Sequence, residues 1–425
     1  MANSISICLF EDPAFVQFLP LTHLRPVFLL RSGIVPLFKR VERHFPQADI
    51  CFSSRDHIAP LLAEQLPDYP VNIIKQGEDG LLFLNGRIRD YGNLPELVIG
   101  ASEPTLFRSG DKTIAWLIRP NSLESAPSIA TQHDYQKLFD GLTEPVSEEA
   151  TTATLYDHLW ELVEDIGRET VADYSHLQST LPDPHNVRFH DGATLVREES
   201  IYLSNDVEIM PASVIDASGG PVYIDTNTRV EPHAAIFGPC YIGPNCVILA
   251  GKVSGSSIGH TCRVGGEVEE SIFQSYVNKY HAGFIGHSYV GSWVNFGAMT
   301  TNSDLKNNYS TIRVTIGGDS IDSRSIKVGS FIGDHTKFGI GTLLNTGIHI
   351  GVACNLFGGT LIRDKEVPSF SWGDSDNLET YRFDKAIETA QRTCERRRCR
   401  FSDHEQRILE AISKGERNDS GVMRL

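Results

Sequence analysis

Aliphatic residues recur at every sixth position in the second half of the chain. One run consists of Ile224, Val230, Ile236, Ile242 and Ile248, and a second of Ile326, Ile332, Phe338, Leu344, Ile350, Leu356 and Ile362. A period of six fits neither an amphipathic helix nor an alternating strand. It predicts a left-handed parallel β-helix, expected over residues 196–368, in which each aliphatic side chain points inward and stacks on the next coil. The alternative is an ordinary β-sandwich with coincidental spacing.

Two segments are expected to disturb this period. Ile258 and Val264 keep it, but GGEVEESIFQSYVNKYHAGF (265–284) is predicted to interrupt it, and NSDLKNNYSTIRV (302–314) is predicted to form a loop. Insertions in a solenoid often project from one face and build its binding surface. Gly and Asn are expected to ease the corners because they tolerate positive φ.

The rest of the chain has different patterns. ISICLFED, ADICFSS, VNIIKQ and LLFLNGRI resemble strands, and VPLFKRVERHF resembles a helix. Their alternation predicts an α/β, Rossmann-like domain over residues 1–130. DYQKLFDGL and YDHLWELVEDIGRETVADYSHL predict a helical connector over 131–195, and NLETYRFDKAIETAQRTCERRR and SDHEQRILEAISKG predict a helical tail over 369–425.

Composition narrows the function classes. The 425 residues carry a net charge of −16, which argues against broad binding of nucleic acid or anionic membranes but leaves room for a local basic pocket. We see neither a signal peptide nor a bilayer-spanning stretch. The eight cysteines form no metal-type CxxC pair, and the basic ERRR between Cys394 and Cys399 is expected to be a solvated helix end. Reduced cysteines favour a cytoplasmic location.

The segment NKYHAGFIGHSYVGSWVNFGAMTTNSDLKNN (278–308) carries the most specific pattern. His281 lies five residues before Gly286 of an Ile-Gly pair, which is followed by Val290-Gly291 and by Asn295-Phe296-Gly297-Ala298. This order resembles the acetyltransferase core of the bifunctional N-acetylglucosamine-1-phosphate uridyltransferase/glucosamine-1-phosphate acetyltransferase family, in a divergent branch of sugar nucleotidyltransferases.

That resemblance implies roles for six residues. His281 would be the general base, which suits a side chain that titrates near neutral pH. Asn295 and Phe284, where the family usually has Tyr, would contact the sugar phosphate. Lys279 and Lys306 would be loop cations for its phosphate, and Ala298 would lie against acyl-CoA. Two alternatives remain open: Asn295 as one rung of an Asn ladder, and His281 as an exposed loop residue.

Other ionisable residues are weaker candidates. His287, His335 and His349 are expected at corners or on the surface, with His335 the best of the three for catalysis. Glu267, Glu269 and Glu270 precede the His281 segment and are explained equally well as a solvated edge. Glu269 stands where the family often has a phosphate-binding Lys, which is a departure at the acceptor site.

The N-terminal segment resembles sugar-nucleotide pyrophosphorylases in part. It keeps Pro20-Leu21-Thr22 and Arg25-Pro26, but it lacks the Gly-rich loop that cradles nucleotide phosphates, and Val27 stands where Lys is expected. Arg25 and Arg31 are the candidate substitute phosphate ligands. Asp12 and the segment LVIGASEP are guesses for binding Mg²⁺. The alternative is a degenerate domain that only scaffolds.

Three functions follow as hypotheses. The chain is a sugar-nucleotide enzyme with nucleotidyl and acyl transfer, an acyltransferase with a silent first domain, or a non-enzymatic scaffold. The first implies acetyl-CoA as co-substrate, Mg²⁺, a nucleoside triphosphate and a sugar phosphate. β-Helices of this class imply a homotrimer with the acyl-CoA cleft between prisms, and closed symmetry is general for homo-oligomers.

Overall fold

The structure is a computed structural model that describes residues 5–74, 77, 79–119 and 147–415. It divides into two compact units. The first comprises the described residues of Met1–Phe18, Leu24–Leu30 and Pro36–Asp157, and the second those of Leu19–His23, Arg31–Val35 and His158–Leu425. The helix expected at residues 134–142 lies outside the described residues.

The first unit is built on a six-stranded mixed sheet with the order β2-β1-β3-β6-β5-β7. Its strands are β1 Ile5–Phe10, β2 Asp49–Ser53, β3 Gly80–Asn85, β5 Thr105–Ser109, β6 Lys112–Ile118 and β7 Ser147–Ala150, and a separate pair joins β4 Ile88–Asp90 to β8 Thr154–Leu155. Strand β1 runs parallel to β2 and β3, whereas β6 is antiparallel to β3 and β5. The helices are α1 Val41–His44, α2 Ala59–Gln65 and α3 Leu94–Gly100. This confirms the α/β prediction.

The strand expected at VNIIKQ is wrong for its described residues. Val71 forms only an isolated bridge with Phe52. The next residue, Asn72, has φ of 54° and exchanges hydrogen bonds with the backbone of Ser54 at 2.9 and 3.0 Å. A left-handed backbone stops an extended strand, and the Asn side chain offers the backbone a local partner instead.

The second unit is a parallel β-solenoid with three faces. Face A holds Ile201–Leu203, Val222–Ile224, Cys240–Ile242, Ser257–Ile258, Ile272–Phe273, Tyr289–Val290, Ser330–Ile332, Ile348–Ile350 and Glu366–Val367. Face B holds Arg188–Phe189, Glu208–Ile209, Arg229–Val230, Asn278–Lys279, Asn295–Phe296, Lys337–Phe338, Asn355–Leu356 and Ser371–Gly373. Face C holds Thr194–Val196, Val214–Asp216, Ala234–Phe237, Phe284–Gly286, Thr301–Asn302, Leu343–Leu344 and Leu361–Ile362. Val247–Ser254 and Arg263–Glu269 turn from face B into face C. The β-helix prediction is confirmed, and its left-handed sense stays a prediction.

The aliphatic residues of the six-residue period form the solenoid core. Ile224, Val230 and Ile236 have no exposed surface, and the other members of that run are equally buried. Ile326 was expected to point inward but is 47% exposed. It lies in the segment between Thr301–Asn302 and Ser330–Ile332, which leaves the solenoid and forms the hairpin Arg313–Ile316 with Asp319–Asp322. The loop expected in this region is therefore present, and the inward register resumes after it.

Residues 265–284 interrupt the six-residue period, as expected, but they do not interrupt the solenoid itself. They continue the coils, but the inward residues Val264 and Val268 are only four positions apart. The corner between them is tight because Gly251 and Gly266 face each other. A Cβ on Gly251 would lie 2.0 Å from the carbonyl oxygen of Gly266, which no real side chain tolerates. Small residues thus shorten the corner and hide the period in the sequence.

Within its described residues, four α-helices complete the second unit. They are α4 Leu159–Glu164, α5 Ile166–Leu177, α6 Phe383–Arg396 and α7 Asp403–Ser413. The predicted helical tail is confirmed, although NLET forms the strand Leu378–Thr380, antiparallel to Ser371–Gly373, and not the start of a helix. Helix α6 buries Ala386, Ile387, Ala390 and Cys394. None of the described helices has the length and apolar character that crossing a membrane requires.

Candidate functional site

A cavity of about 850 Å³ lies between face B of the solenoid and helix α6. Volumes of this size are typical of small-molecule sites. His281 and Asn295 both line it, so the structure brings together the expected base and one expected acceptor contact. No expected site residue other than these two lines this cavity.

His281 occupies the corner that follows Asn278–Lys279. It is exposed, and its ring meets that of Tyr280 edge-on, with centroids 5.3 Å apart. Exposure fits both the expected base and the alternative of a loop residue, but the position beside a cavity gives the imidazole access to a bound ligand. A base must reach the proton that it removes, so this access is the first requirement.

Lys279 is placed differently from the expectation. It points into the solenoid at a position that is apolar in neighbouring coils, where Val264 and Phe296 stand, and it is only 1% exposed. Its ammonium donates to the carbonyls of Gly265 at 2.8 Å, Gly283 at 2.7 Å and His281 at 3.2 Å. Burial lowers the pKa of Lys279 to about 8, against a smaller raising effect of Glu267. The expected loop cation is therefore wrong: Lys279 ties down the loop that carries His281.

Asn295 forms a short ladder on face B. The Nδ2 of Asn278 donates to its Oδ1 at 2.8 Å, and the two residues are paired in register. The ladder alternative is thus realised, but Asn295 also lines the cavity. A side chain held by its neighbour is oriented before a ligand arrives.

Aromatic rings form one wall of the cavity. Tyr276 and Trp293 stack with centroids 3.9 Å apart and planes 7° from parallel. His335 stacks behind Trp293 at 6.2 Å, and its Nε2 lies 2.8 Å from a carboxylate oxygen of Glu405 on helix α7. His335 is buried and does not line the cavity, so it supports the aromatic wall.

Cations dominate the rest of the lining. They are Arg263, Lys337, Arg392, Arg396 and Arg397. Burial lowers the pKa of Lys337 to about 8, and its ammonium donates to the carbonyl of Trp293. Arg396 and Arg398 are exposed, as expected for a solvated helix end at ERRR, while Arg397 is half-buried beside the cavity. The i,i+4 spacing of Arg392 and Arg396 places both on one side of a helix, and this was the sequence signal for the cationic lining of the cavity.

The remaining expected residues of the repeat domain lie elsewhere. Phe284 belongs to face C, where its backbone N–H donates to Thr301 Oγ1 at 3.3 Å. The carbonyl of Ala298 accepts from Gly341 N–H at 2.8 Å at a corner. Lys306 donates to the carbonyl of Thr311 at 2.7 Å inside the loop that leaves the solenoid. Their roles as ligand contacts stay predictions.

The three candidate acids are paired, not merely solvated. Glu267 and Glu269 both contact Lys252. Glu270 lies 3.0 Å from His287 Nε2, and Asp304 lies 2.7 Å from its Nδ1. Burial opposes protonation of His287, but the two carboxylates outweigh it and raise its pKa to about 9.

His349 is the remaining candidate histidine. It is buried on face A, with Nδ1 3.9 Å from Glu366, and burial lowers its pKa. It does not line the cavity. A buried histidine on a packed strand fits a place in the core, not contact with a substrate.

In the first unit, a charged network occupies the end of β1. The carboxylate of buried Glu11 accepts from the Val27 N–H at 2.9 Å and from Arg55 at 3.0 Å. Asp12 pairs with Arg87 at 2.8 Å. Arg25 is buried, and its carbonyl accepts from Arg55 at 3.1 Å.

These carboxylates do not fit the Mg²⁺ expectation. Asp12 and Glu11 are each neutralised by an arginine, whereas Mg²⁺ is bound by free carboxylates, substrate phosphates and water. Within the part of the chain that the structure describes, no group of three or more His, Cys, Asp or Glu is arranged to hold a metal ion.

Arg31 belongs to the second unit, contrary to its expected role in the N-terminal domain. Its backbone N–H donates to the Tyr289 hydroxyl at 2.9 Å, and its guanidinium lies over the ring of Tyr241 at 5.5 Å. Both tyrosines are on face A. Cation–π packing of this kind is a structural use of arginine, and the expected phosphate contact stays a prediction.

Comparison with known proteins finds similarities, one of them to a family model in the first part of the chain. Residues 7–180 match the sugar nucleotidyl transferase family. The bifunctional sugar-1-phosphate nucleotidylyltransferase/acetyltransferase of Sulfurisphaera tokodaii is 28% identical over 122 residues, which are 29% of this chain and 28% of that protein. The bifunctional protein GlmU of Methanococcus vannielii is 30% identical over 139 residues, 32% of this chain and 31% of that protein. The resemblance found in the sequence is confirmed, although the chain spans about a third of the length of these relatives.

A solved structure is also similar. The UDP-N-acetylglucosamine acyltransferase of Francisella novicida aligns with 55% of this chain and 80% of its own, at 14% identity and a TM-score of 0.21. A score this low supports no conclusion. The assignment of the solenoid rests on its own hydrogen-bonded coils.

Proposed function

We propose that the solenoid unit transfers an acyl group from acyl-CoA to the amino group of a phosphorylated sugar. One observation carries the proposal: His281 and Asn295 line the same cavity, together with cations that suit a phosphorylated ligand. The sequence around them resembles an acetyltransferase core, and one relative of the chain is named as a bifunctional sugar-1-phosphate nucleotidylyltransferase/acetyltransferase.

The chemistry assigned to His281 is general-base catalysis. The amine nitrogen attacks the thioester carbonyl, a C–N bond forms, and the C–S bond breaks. The proton lost by the nitrogen passes to the His281 imidazole and then to the leaving sulfur, which gives an amide and free CoA thiol. Positioned proton transfer of this kind contributes roughly 10² to 10⁴ in rate.

Nucleotidyl transfer is the second candidate function, for the first unit. The match of residues 7–180 to sugar nucleotidyl transferases favours it. The charged network at Glu11 and Asp12 disfavours it, because carboxylates stand where the related enzymes have a phosphate-binding loop. Two alternatives remain. In one, the first unit has only a structural role; in the other, the whole chain binds sugar nucleotides without catalysing a reaction.

Two assays separate these functions. Acetyl-CoA with glucosamine 1-phosphate should release free CoA, and the absence of release with any amino-sugar phosphate would remove the acyltransferase proposal. UTP or dTTP with N-acetylglucosamine 1-phosphate or glucose 1-phosphate and Mg²⁺ should release pyrophosphate if the first unit is active. If CoA is released in the first assay but no pyrophosphate is released in the second, acyl transfer would remain as the only activity.

We further propose a homotrimer in the cytoplasm. Neighbouring rungs of face C expose Leu343 by 41% and Leu361 by 42%, and adjoining corners expose Met299 by 57% and Ile340 by 74%. Packing against a second solenoid would cover such a strip of apolar side chains. All eight cysteines are free, which suits a reducing compartment.

A further inference from the structure

A second cavity lies within the first unit, at the edge of its sheet. Its volume is about 380 Å³, within the range of small-molecule sites, and its lining comes from β1, β2, helix α1 and the segment after α2. This cavity is at the amino ends of β1 and β2, whereas the charged network at Glu11 and Asp12 follows the carboxyl end of β1. Open α/β sheets bind nucleotides at the carboxyl ends of their strands, so the second cavity is not at the position expected for a nucleotide.

Carboxylates dominate the charge of this cavity. Of the described residues that line it, Glu42, Asp49 and Asp68 are acidic and none carries a positive charge. Glu42 is paired with Lys39 at 3.1 Å. Asp49 and Asp68 take part in no ion pair within the described residues. Like charges around one concave site repel each other, and a bound cation relieves that repulsion.

A buried hydroxyl adds a polar group without a partner. Ser6 lies on β1, in register with Asp49 of β2, and it is only 3% exposed. It lines the cavity, yet its hydroxyl makes no hydrogen bond to any described residue. Buried polar side chains normally have a hydrogen-bond partner, because leaving one without a partner is costly. A ligand that donates into the cavity supplies the missing partner.

The edge of the sheet is open beside the cavity. On the outer side of β2, the Phe52 N–H donates to the Pro70 carbonyl at 2.9 Å, and the Phe52 carbonyl accepts from the Asn72 N–H at 2.8 Å. Ile50 lines the cavity and lies two residues earlier, so its N–H and C=O face the same outer side. Within the described residues, no backbone group bonds to Ile50 on that side. Its carbonyl is therefore a further acceptor for a ligand.

We propose that this cavity binds an organic cation, a guanidinium or ammonium group held by Asp49 and Asp68. The N–H groups of the cation donate to these carboxylates, to the Ser6 hydroxyl and to the Ile50 carbonyl, because a group with several N–H donors and no acceptor satisfies all of them together. A bare metal ion fits less well. Within the part of the chain that the structure describes, no group of three or more His, Cys, Asp or Glu is arranged to hold one.

Two sources supply this chemistry. One is a free small molecule with two basic groups. The other is an arginine or lysine side chain of an extended peptide, whose backbone pairs with the open edge at Ile50. The proposal does not depend on the acyl transfer proposed for the solenoid, and either can fail without the other.

Ligand-observed NMR titrations on the full chain test the proposal. The probes are agmatine, which carries a guanidinium and an ammonium group, the neutral compound butylurea, the blocked peptide Ala-Arg-Ala, and Mg²⁺. Agmatine or the peptide should bind about tenfold or more tightly than butylurea, because charge-assisted hydrogen bonds are the stronger ones. Tighter binding of the peptide assigns the cavity to a protein segment, and tighter binding of agmatine assigns it to a free small molecule. Equal binding of butylurea and both cations, or tighter binding of Mg²⁺ than of either, would overturn the proposal.

Variants locate the binding. Asp49→Asn with Asp68→Asn keeps the side-chain size and should weaken binding of the cation by about tenfold, and Ser6→Ala should weaken it by about threefold. Glu96→Gln with Asp111→Asn is the matched control, because it removes two charges from exposed residues of the first unit outside the cavity. An equal loss in the control would show that overall charge, not the cavity, holds the cation. That result, or unchanged affinity in the cavity variants, would contradict the proposal.

Discussion

The ammonium of Lys279 donates a hydrogen bond to the backbone carbonyl of His281 over 3.2 Å. The same ammonium also holds the carbonyls of Gly265 and Gly283. Lys279 is buried among three backbone carbonyls at a core position that is apolar in the neighbouring coils, and it fixes the path of the loop that carries the proposed base. Lys279 is therefore a positioning residue that touches no substrate.

Lys279→Met should lower kcat for CoA release by roughly 10- to 100-fold, because displacing a catalytic group by about 1 Å has effects of this size. Methionine keeps the volume and the apolar stem but leaves the three carbonyls without their donor. Steady-state kinetics on the variant provide the measurement. The KM for acyl-CoA should change less than kcat, since the cavity cations are untouched.

Leu356→Ala is the control for this variant. Leu356 is fully buried on face B, away from the His281 loop, so its truncation lowers stability by about 2 to 5 kcal/mol without moving that loop. Its activity at a temperature where it remains folded should equal that of the parent chain. Equal kcat values for Lys279→Met and the parent would show that the lysine has only a structural role.

The ion pairs of His287 should make stability depend on pH. Its pKa is raised from 6.5 to about 9, so its contribution is fully present below 6.5 and is lost as pH rises through 9. The carboxyls of Glu270 and Asp304 have lowered pKa values, so their contribution is lost on acidification. His287→Gln should therefore reduce the free energy of unfolding most between about pH 5 and 6.5, by roughly 1.5 to 3 kcal/mol.

Urea denaturation of the parent and His287→Gln chains at several pH values measures this difference. His233→Gln serves as the comparison, because His233 has no ion pair in the described structure. The difference in the free energy of unfolding between the parent and His287→Gln should become smaller above pH 9. A gap that stays constant from pH 6 to 10 would contradict the paired imidazolium.

Assembly can be tested on face C. If the exposed strip at Leu343 and Leu361 packs against another prism, the parent chain should have the mass of a trimer by light scattering. Leu343→Glu with Leu361→Glu should shift it to monomer, because burying two carboxylates in an apolar interface is costly. Val171→Glu, at an apolar residue on helix α5 that is 43% exposed, should leave the mass unchanged. A monomeric parent would refute the trimer.

The solenoid was largely predictable because apolar residues recur at every sixth position in the sequence. Residues such as Ile224 and Ile350 mark coils whose corners have regular length. The period could not be followed where Gly251 and Gly266 compress a corner, and the core role of Lys279 was missed because it replaces an apolar residue. A lysine in a core can be recognised only once the carbonyls that surround it are known.

The site was predictable only in part. His281 and Asn295 were found from local spacing, and they do share a cavity. Arg396 and Arg397 were missed because more than 100 residues separate them from His281, and a sequence does not say which solenoid face a terminal helix covers. The packing of Arg31 was not foreseen for the same reason, since its neighbours Tyr241 and Tyr289 lie far along the chain.

The central claim is that His281 is the base for acyl transfer in this cavity. The most direct measurement is the rate of CoA thiol release from acetyl-CoA and glucosamine 1-phosphate by the parent chain and by His281→Ala, with CoA binding measured on both. The variant should bind CoA as the parent does but release CoA thiol about 10² to 10⁴ times more slowly. Undiminished release by a folded His281→Ala chain would contradict it.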